Sequence, residues 1–318
     1  MTVTTFEVLE LLRKNEWISG EIIAGTLKIS RTAVWKHIQQ LKKKGYHIKA
    51  KQNQGYHLKR IPDALTTEEI KHDLHSSIIG RTLHHYTLIE STNDKAKTLA
   101  NHGEPEGTVV ISDAQSQGRG RKQRLWSSGK GGLWFSIILR PDIQLSNAMQ
   151  VTMCAAVALV EAIQKELMLK PSVKWPNDLL IGNKKICGIL TEISAELDEI
   201  NYLIVGIGLN VNNDLPAQLQ ENSTTLKYET KQIVSLSSLF IKILESFDGF
   251  YQNLKKGDVA LIRKVWLSNS STIGSQVTVN MENEVIEGIA IDIGTKGELI
   301  VKTTNGDKYI VSGDITYL

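Results

Sequence analysis

Between two apolar runs lies Gln115-Ser116-Gln117-Gly118-Arg119-Gly120-Arg121-Lys122-Gln123-Arg124-Leu125-Trp126. Four cationic side chains fall within the seven residues from Gly118 to Arg124, and two glycines let the backbone bend closely around whatever those charges hold. The chemistry on offer is anion handling. The loop is not a P-loop, because Gly-Lys-Ser/Thr after a strand is missing, nor a dinucleotide fingerprint, because Gly-x-Gly-x-x-Gly is missing. Its composition alone equally describes a mobile basic surface loop.

Three further segments bear on that choice. Lys174-Trp175-Pro176-Asn177-Asp178 groups a cation, an amide and a carboxylate around a rigid proline, a set that can meet phosphate oxygens and a hydrated Mg²⁺. Lys184-Lys185-Ile186-Cys187-Gly188 opens a strand with a charged pair, then allows close approach at the glycine. Gly206-Ile207-Gly208-Leu209-Asn210-Val211-Asn212 closes another strand with two glycines and two amides. Each has a bland explanation: Trp175-Pro176 as core, Lys184-Lys185 as a hairpin tip, Gly206 and Gly208 as bulges. Four such coincidences in one chain favour a shared site.

The elements that must position these residues can be read from periodicity. Thr108–Ser112, Leu133–Leu139 and Tyr202–Gly206 are strand-like, and Met149–Leu167 is the strongest buried-helix candidate. At 318 residues, and roughly 100 to 200 per domain, two or three domains are expected. Hydrophobic residues at 41% and charged residues at 22% exclude a disordered chain, and no apolar run reaches membrane-span length without polar interruption. The first residues lack a cationic flank followed by an apolar stretch, so a cytoplasmic protein without membrane partners is expected. Cys154 and Cys187 are too few to staple the chain, and His72, His75, His84 and His85 lack companion ligands at metal spacing.

The net charge of +3 hides an asymmetry. Residues 1–65, up to just past a Pro62-Asp63 turn, carry 12 Lys and Arg against 5 Asp and Glu, or +7, which leaves −4 for the remainder. A small basic head is the electrostatic footprint of a nucleic-acid binder, or simply a lysine-rich surface. The pattern beneath it decides. Phe6, Leu9, Leu11 and Leu12 mark a first helix, Ser19 caps a second over Gly20–Leu27, and Ser30 caps a third in which Val34, Ile38 and Leu41 form one stripe. Thr32, Lys36, Gln39 and Lys43 point away from that stripe, with Arg31 and Trp35 on its flanks. Amides and hydroxyls on such a face read base edges while cations neutralise phosphates. His47–Leu58 then alternates in polarity around Gln52-Asn53-Gln54-Gly55, as a two-stranded wing does.

Ile18-Ser19-Gly20, Ser30-Arg31-Thr32-Ala33-Val34-Trp35-Lys36-His37-Ile38 and Gly45-Tyr46 resemble the winged helix-turn-helix of bacterial biotin-operon repressors over most of residues 5–60. Lys28 stands in the turn where such proteins often have glycine. The four segments of the body, in their order, resemble the catalytic domain of biotin protein ligases over roughly residues 80–215, and Ser91-Thr92-Asn93 matches the biotin-side motif of that family. Lys122-Gln123 departs from it, since many relatives have Arg-Gly there.

The resemblance implies a fold and a reaction. The expected architecture is α+β and multidomain: a winged helix-turn-helix over 1–65, a mixed α/β ligase domain over 66–268 and an SH3-like β-barrel over 269–318. Four alternating runs, Gln276–Asn280, Val285–Ile293, Glu298–Lys302 and Lys308–Ser312, independently suggest a small barrel, and Gly313-Asp314-Ile315 resembles its last turn. The expected reaction joins biotin to ATP as biotinyl-5′-AMP and passes the acyl group to a lysine of a carboxyl carrier domain, as in acetyl-CoA or pyruvate carboxylase. On this reading Arg121 and Lys185 are catalytic. Ser91, Thr92, Asn93, Gln115, Gly118, Arg119, Gly120, Gly188, Gly206 and Gly208 complete the biotin side. Arg119, Arg121, Arg124, Lys174, Asn177, Asp178, Lys185 and Asn210 serve ATP, with Trp126 stacking on adenine. Mg²⁺ would come with ATP, near Asn177 and Asp178, rather than be held by the protein alone. Ser30, Arg31, Thr32, Trp35, Lys36 and Gln39 would meet operator DNA as part of a homodimer formed on adenylate binding. Two rivals are a ligand-sensing repressor without catalysis and a lipoate or octanoate ligase-transferase of similar fold.

Overall fold

The computed structural model describes residues 4–60, 65–196, 199–281 and 284–317, so the expected Pro62-Asp63 turn lies outside the described residues. The chain forms two compact units, Met1–Asp73 and Leu74–Leu318.

In the first unit, helices α1 (Thr5–Lys14), α2 (Gly20–Leu27) and α3 (Arg31–Lys43) precede a hairpin of β1 (His47–Lys51) and β2 (Gly55–Arg60) and a helix α4 (Thr67–Asp73). Ser19 Oγ accepts from Ile22 N and Ser30 Oγ from Ala33 N, both at 3.1 Å, so two serines satisfy otherwise orphaned amides at the helix starts. Val34, Ile38 and Leu41 are buried against Val8, Leu9, Leu12 and Ile23, which makes this small core one cluster. Lys28 ends α2 in the left-handed conformation, φ 53°, where a side chain costs about 1 kcal/mol. Gly55 is obligatory: at φ +94° its α-carbon faces Ile18 O so closely that a β-carbon would strike it. Tyr46 Oη donates to Glu69 at 2.6 Å and Lys44 pairs with Glu68 at 2.5 Å. These contacts anchor α4 in this unit, beyond the expected division at Leu65.

The second unit is built on a seven-stranded sheet in the order β3-β4-β5-β9-β8-β7-β6. Its strands are β3 (Leu83–Tyr86), β4 (Val109–Ser112), β5 (Leu133–Leu139), β6 (Ser172–Lys174), β7 (Asp178–Ile181), β8 (Lys184–Glu196) and β9 (Glu199–Leu209). Among the described residues only β3 and β4 pair in parallel, and the other neighbours in this sheet are antiparallel. Helix α5 (Thr92–Asn101) covers one face, where Ala96 and Ala100 meet Val110, Ile138 and Ile204. The alternation along β5 sends Trp134, Ser136 and Ile138 to one face and Phe135 and Ile137 to the other. On that second face lie α6 (Met149–Leu167) and, after the short α7 (Leu226–Thr230), α8 (Leu236–Lys255) and α9 (Ala260–Ser268). Phe135 meets Phe240 of α8 edge-on, centroids 5.0 Å apart, and burying each ring contributes about 2 kcal/mol. The region of α6, Leu145–Leu167, is long and apolar enough to cross a membrane by length and composition, yet 78% of its most apolar window is buried inside the fold. It is the core helix of this unit.

The tail is a five-stranded antiparallel sheet, β13-β12-β11-β10-β14, from β10 (Gln276–Asn280), β11 (Val285–Ile293), β12 (Leu299–Thr303), β13 (Gly306–Ile310) and β14 (Asp314–Tyr317). Among the described residues β13 and β14 stay at the two edges. Gly313-Asp314-Ile315, expected as a turn, instead leads into β14, which pairs with β10 through Ile315 and Val279. Four residues are too few to show a period against the turn signal before them.

Candidate functional sites

The connection from β4 to β5 carries the basic loop, and it folds into a miniature hairpin. Trp126 N donates to Gly118 O at 2.8 Å and Gly120 N to Arg124 O at 2.7 Å. Gly118 is required there, because a β-carbon would collide with Trp126 O and Ser128 Oγ. Lys122 and Gln123 sit at the tip with φ 54° and 58°, a turn that favours Asn and Gly, so two side chains are held in a costly conformation.

What holds the tip is a carboxylate that sequence pattern does not reveal. Asp314, opening β14, accepts Arg124 Nη2 at 2.7 Å and Lys122 Nζ at 3.2 Å, with Arg121 3.8 Å away. Burial pushes the Asp314 carboxyl up, but the Lys122 hydrogen bond and the three cationic charges win, and it lies below its ordinary value. Arg121 also donates to Asn177 Oδ1 and Gly313 O, each at 3.2 Å. No spacing rule links residues so far apart in sequence; opposite charge is the only signal.

The loop forms one wall of a cavity of about 340 Å³. Of the residues expected on the biotin and ATP sides, every one except Gly118 lines it. At one end Thr92 N donates to Gln115 Oε1 at 2.7 Å, Gln115 Nε2 to Ser128 Oγ at 2.8 Å, and Ser136 Oγ to Asn93 Oδ1 at 2.6 Å. Ser91 Oγ caps α5 through Asp94 N at 3.4 Å. In the middle, Lys185 pairs with Asp178 at 2.7 Å and lies 5.1 Å from the centroid of the Trp126 ring. That ring packs on Gly188 and Gly208, where any β-carbon would meet it, and its indole Nε1 is buried without a hydrogen-bond partner among the described residues. Trp126 therefore stands over the glycines expected to line the biotin slot, while its expected partner was adenine. Arg119 turns to Asp94, with Glu192 4.0 Å away. At the other end Asn177 Nδ2 donates to Ile189 O at 2.8 Å, and Asn210, 4% exposed, accepts from Asn213 at 3.1 Å. Burial lowers Lys174 below its ordinary value, with Lys185 adding to the effect, and its ammonium lies 4.7 Å from the Tyr317 ring. Leu215, Leu219 and Ser223, which carry no motif in the sequence, line the cavity from the loop after β9.

Both cysteines are 0% exposed, and burial pushes both thiols well above their ordinary value. Neither offers a thiolate for acyl transfer.

In the first unit, Arg31, Thr32, Trp35 and Lys36 are exposed on α3, with Trp35 at 53%, and Gln39 is half-buried. Ser30 is committed to its cap. Lys49, Lys51 and Asn53 are exposed on the β1–β2 hairpin.

Family models match along the chain in three places: an HTH domain over residues 4–57, the biotin/lipoate A/B protein ligase family over 86–210, and the biotin protein ligase C terminal domain over 272–316. The bifunctional ligase/repressor BirA of Bacillus subtilis is 39% identical over 97% of both chains. The chain belongs to this bifunctional ligase/repressor family. The more distant Escherichia coli BirA is 26% identical over 98% of this chain and 96% of its own. Among solved structures, a biotin protein ligase from Aquifex aeolicus in complex with biotin and ATP superposes with a TM-score of 0.66 and 29% identity, covering 75% of this chain and 99% of that one. Family membership thus spans the helix-turn-helix unit, the ligase cavity and the C-terminal sheet together.

Proposed function

We propose that the chain is an ATP-dependent biotin protein ligase that also represses biotin genes. The observation that carries this reading is the cavity in which the anion-handling loop, Lys185 and the Ser91-Thr92-Asn93 motif converge, in a chain similar over 97% of its length to a bifunctional ligase/repressor.

The mechanism follows from charge. A carboxylate of biotin must attack the α-phosphorus of ATP, so two anions are forced together and pyrophosphate leaves. Arg121 and Lys185 offset that repulsion, and their attraction is strong because the cavity limits water. Each is already oriented by oxygen partners, Asn177 for Arg121 and Asp178 for Lys185, which an arriving anion displaces. The polar cluster around Thr92, Asn93 and Gln115 takes the ureido ring, and Gly188, Gly206 and Gly208 let it lie on the sheet. The wall of Leu215 and Leu219 suits a flat base, which moves the adenine contact from Trp126 to that loop. Trp126 then covers the acyl chain. Asp178 and Asn177 carry the hard oxygens Mg²⁺ prefers; the ion, held by them and the polyphosphate, would neutralise charge on the leaving pyrophosphate. A lysine amine of a carboxyl carrier domain attacks the acyl carbon of the resulting anhydride, and AMP departs. No nucleophile of this chain is needed, in keeping with the buried thiols.

We assign operator binding to the exposed face of α3 through Arg31, Thr32, Trp35, Lys36 and Gln39, with the β1–β2 hairpin as wing. Biotinyl-5′-AMP is the corepressor on this reading: ordering of the loop over it favours a homodimer that places two α3 helices on a two-fold site. The C-terminal sheet is read as the SH3-like module of the family, and the protein as cytoplasmic. Incubation with biotin, ATP and Mg²⁺ should leave biotinyl-5′-AMP bound, as detected by mass spectrometry, with pyrophosphate released; neither product forming would reduce the chain to a sensing repressor. Sedimentation should show a mass increase on adding both substrates, and an unchanged mass would remove the dimer from the mechanism.

A further inference from the structure

Asn93 is 4% exposed and lies over Gly206, where a β-carbon would strike its Oδ1 first. Its Nδ2 donates to Glu192 Oε2 at 2.6 Å, and its Oδ1 accepts from Ser136 Oγ at 2.6 Å. The second oxygen of Glu192 takes the Lys97 ammonium at 2.6 Å, so this residue, on β8, is a paired carboxylate that reaches the cavity only through the lining residue Asn93. The coupling chemistry itself draws on none of these contacts.

An amide has two orientations of nearly the same shape, one presenting a donor and the other an acceptor, and only its partners choose between them. A carboxylate accepts and never donates. The Glu192 oxygen, with Leu190 O a second acceptor at 3.4 Å, therefore holds the Asn93 nitrogen on that side and turns the Asn93 oxygen toward Ser136 and Gly206, where Asn93 and Gly206 line the cavity. Thr92 and Gln115 are fixed by other contacts: Gln115 Oε1 accepts from Thr92 N and Oγ1, and Gln115 Nε2 donates to Ser128 Oγ. A ureido ring carries two N–H donors and one carbonyl acceptor, so the polarity of each pocket group decides which edge it can meet.

We infer that Glu192, acting through Asn93, is a positioning residue that sets the polarity of the ureido pocket: it makes Asn93 present an acceptor and so selects a ring with an N–H at that edge. The inference rests on the biotin reading of the cavity, and Lys97 supports it by holding the carboxylate in place.

The test uses the full chain, with biotin KM and kcat from pyrophosphate release at saturating ATP and biotin binding alone by calorimetry. Glu192→Gln removes the closer and charged of the two acceptors that orient the Asn93 amide, leaving only the long contact to Leu190 O, so biotin KM should rise about tenfold while kcat at saturating biotin and the KM for ATP stay within about twofold. Asn93→Asp sets two carboxylates side by side and should weaken biotin by about a hundredfold. Joining Asn93→Asp to Glu192→Gln reverses the outer hydrogen bond but leaves an acceptor facing the ring, so most of that loss should return. A packing role alone predicts no such recovery. Wild-type biotin binding in Glu192→Gln overturns the inference, as does a double variant no better than Asn93→Asp. If Glu192→Gln fails to fold, the comparison of Asn93→Asp with the double variant decides. Wild-type chain without biotin-dependent pyrophosphate release would sink the substrate reading and this inference together; active wild type with a failed exchange sinks only the inference.

Discussion

The cations of the cavity and those of α3 have the same chemistry and opposite circumstances. At the cavity Arg119 faces Asp94, Lys185 faces Asp178, and Arg121 and Arg124 share Asp314 with Lys122 of the loop tip, while Lys174 lies against the Tyr317 ring. On α3, among the described residues, Arg31, Lys36 and Lys43 pair with no carboxylate and stand exposed. A paired cation is fixed in direction and meets an anion only by exchanging partners, so its gain is local and geometric. A bare one acts through the screened field around the molecule, tolerant of position and sensitive to salt. The difference matches a reaction that must place two atoms together and a recognition that must first find a polyanion.

Changing the two sets separately tests that contrast. The largest effect is expected from Lys185→Ala: pyrophosphate exchange should fall on the order of a thousandfold, since a preorganised charge is removed where charge develops. Lys36→Gln should instead leave exchange unchanged, weaken binding to operator-sized DNA severalfold, and flatten the plot of log affinity against log salt by about one unit of slope. A salt-independent loss would place Lys36 outside the phosphate contacts. Asp314→Asn is the sharper probe, because it frees three loop cations at once: KM for ATP should fall about threefold as the competing carboxylate disappears, and a rise would mean that Asp314 orients the loop more than it competes. The smallest effect is Lys28→Gly, expected to add about 0.5 kcal/mol of stability by chemical denaturation, the relief of the left-handed turn outweighing extra freedom in the unfolded chain.

Much of this contrast is legible in the order of residues alone. The serine caps, the α3 stripe and the ends of α6 follow from local rules, and the fold keeps Ser19, Ser30 and Met149–Leu167 where those rules put them. The converging segments are legible as chemistry, through resemblance and residue type, though not as geometry. Asp314 and Glu192 are not legible, because each acts across the fold on a partner with which it shares no period. Trp126 illustrates the same limit: the sequence shows an aromatic beside cations, but only the sheet shows that two glycines leave room for its ring. The extent of α4's attachment is likewise hidden, since no local pattern links Glu68 and Glu69 to Lys44, Arg13 and Tyr46, which meet them in the fold.

The Lys122–Asp314 contact joins positions 192 residues apart. At translation rates of roughly 5 to 20 residues per second, the loop emerges from the ribosome on the order of ten to forty seconds before the carboxylate that steadies its tip has been made. For that interval a newborn chain carries Arg121, Lys122 and Arg124 without the carboxylate they later share, so this ion-pair cluster closes only after the last strand has been made.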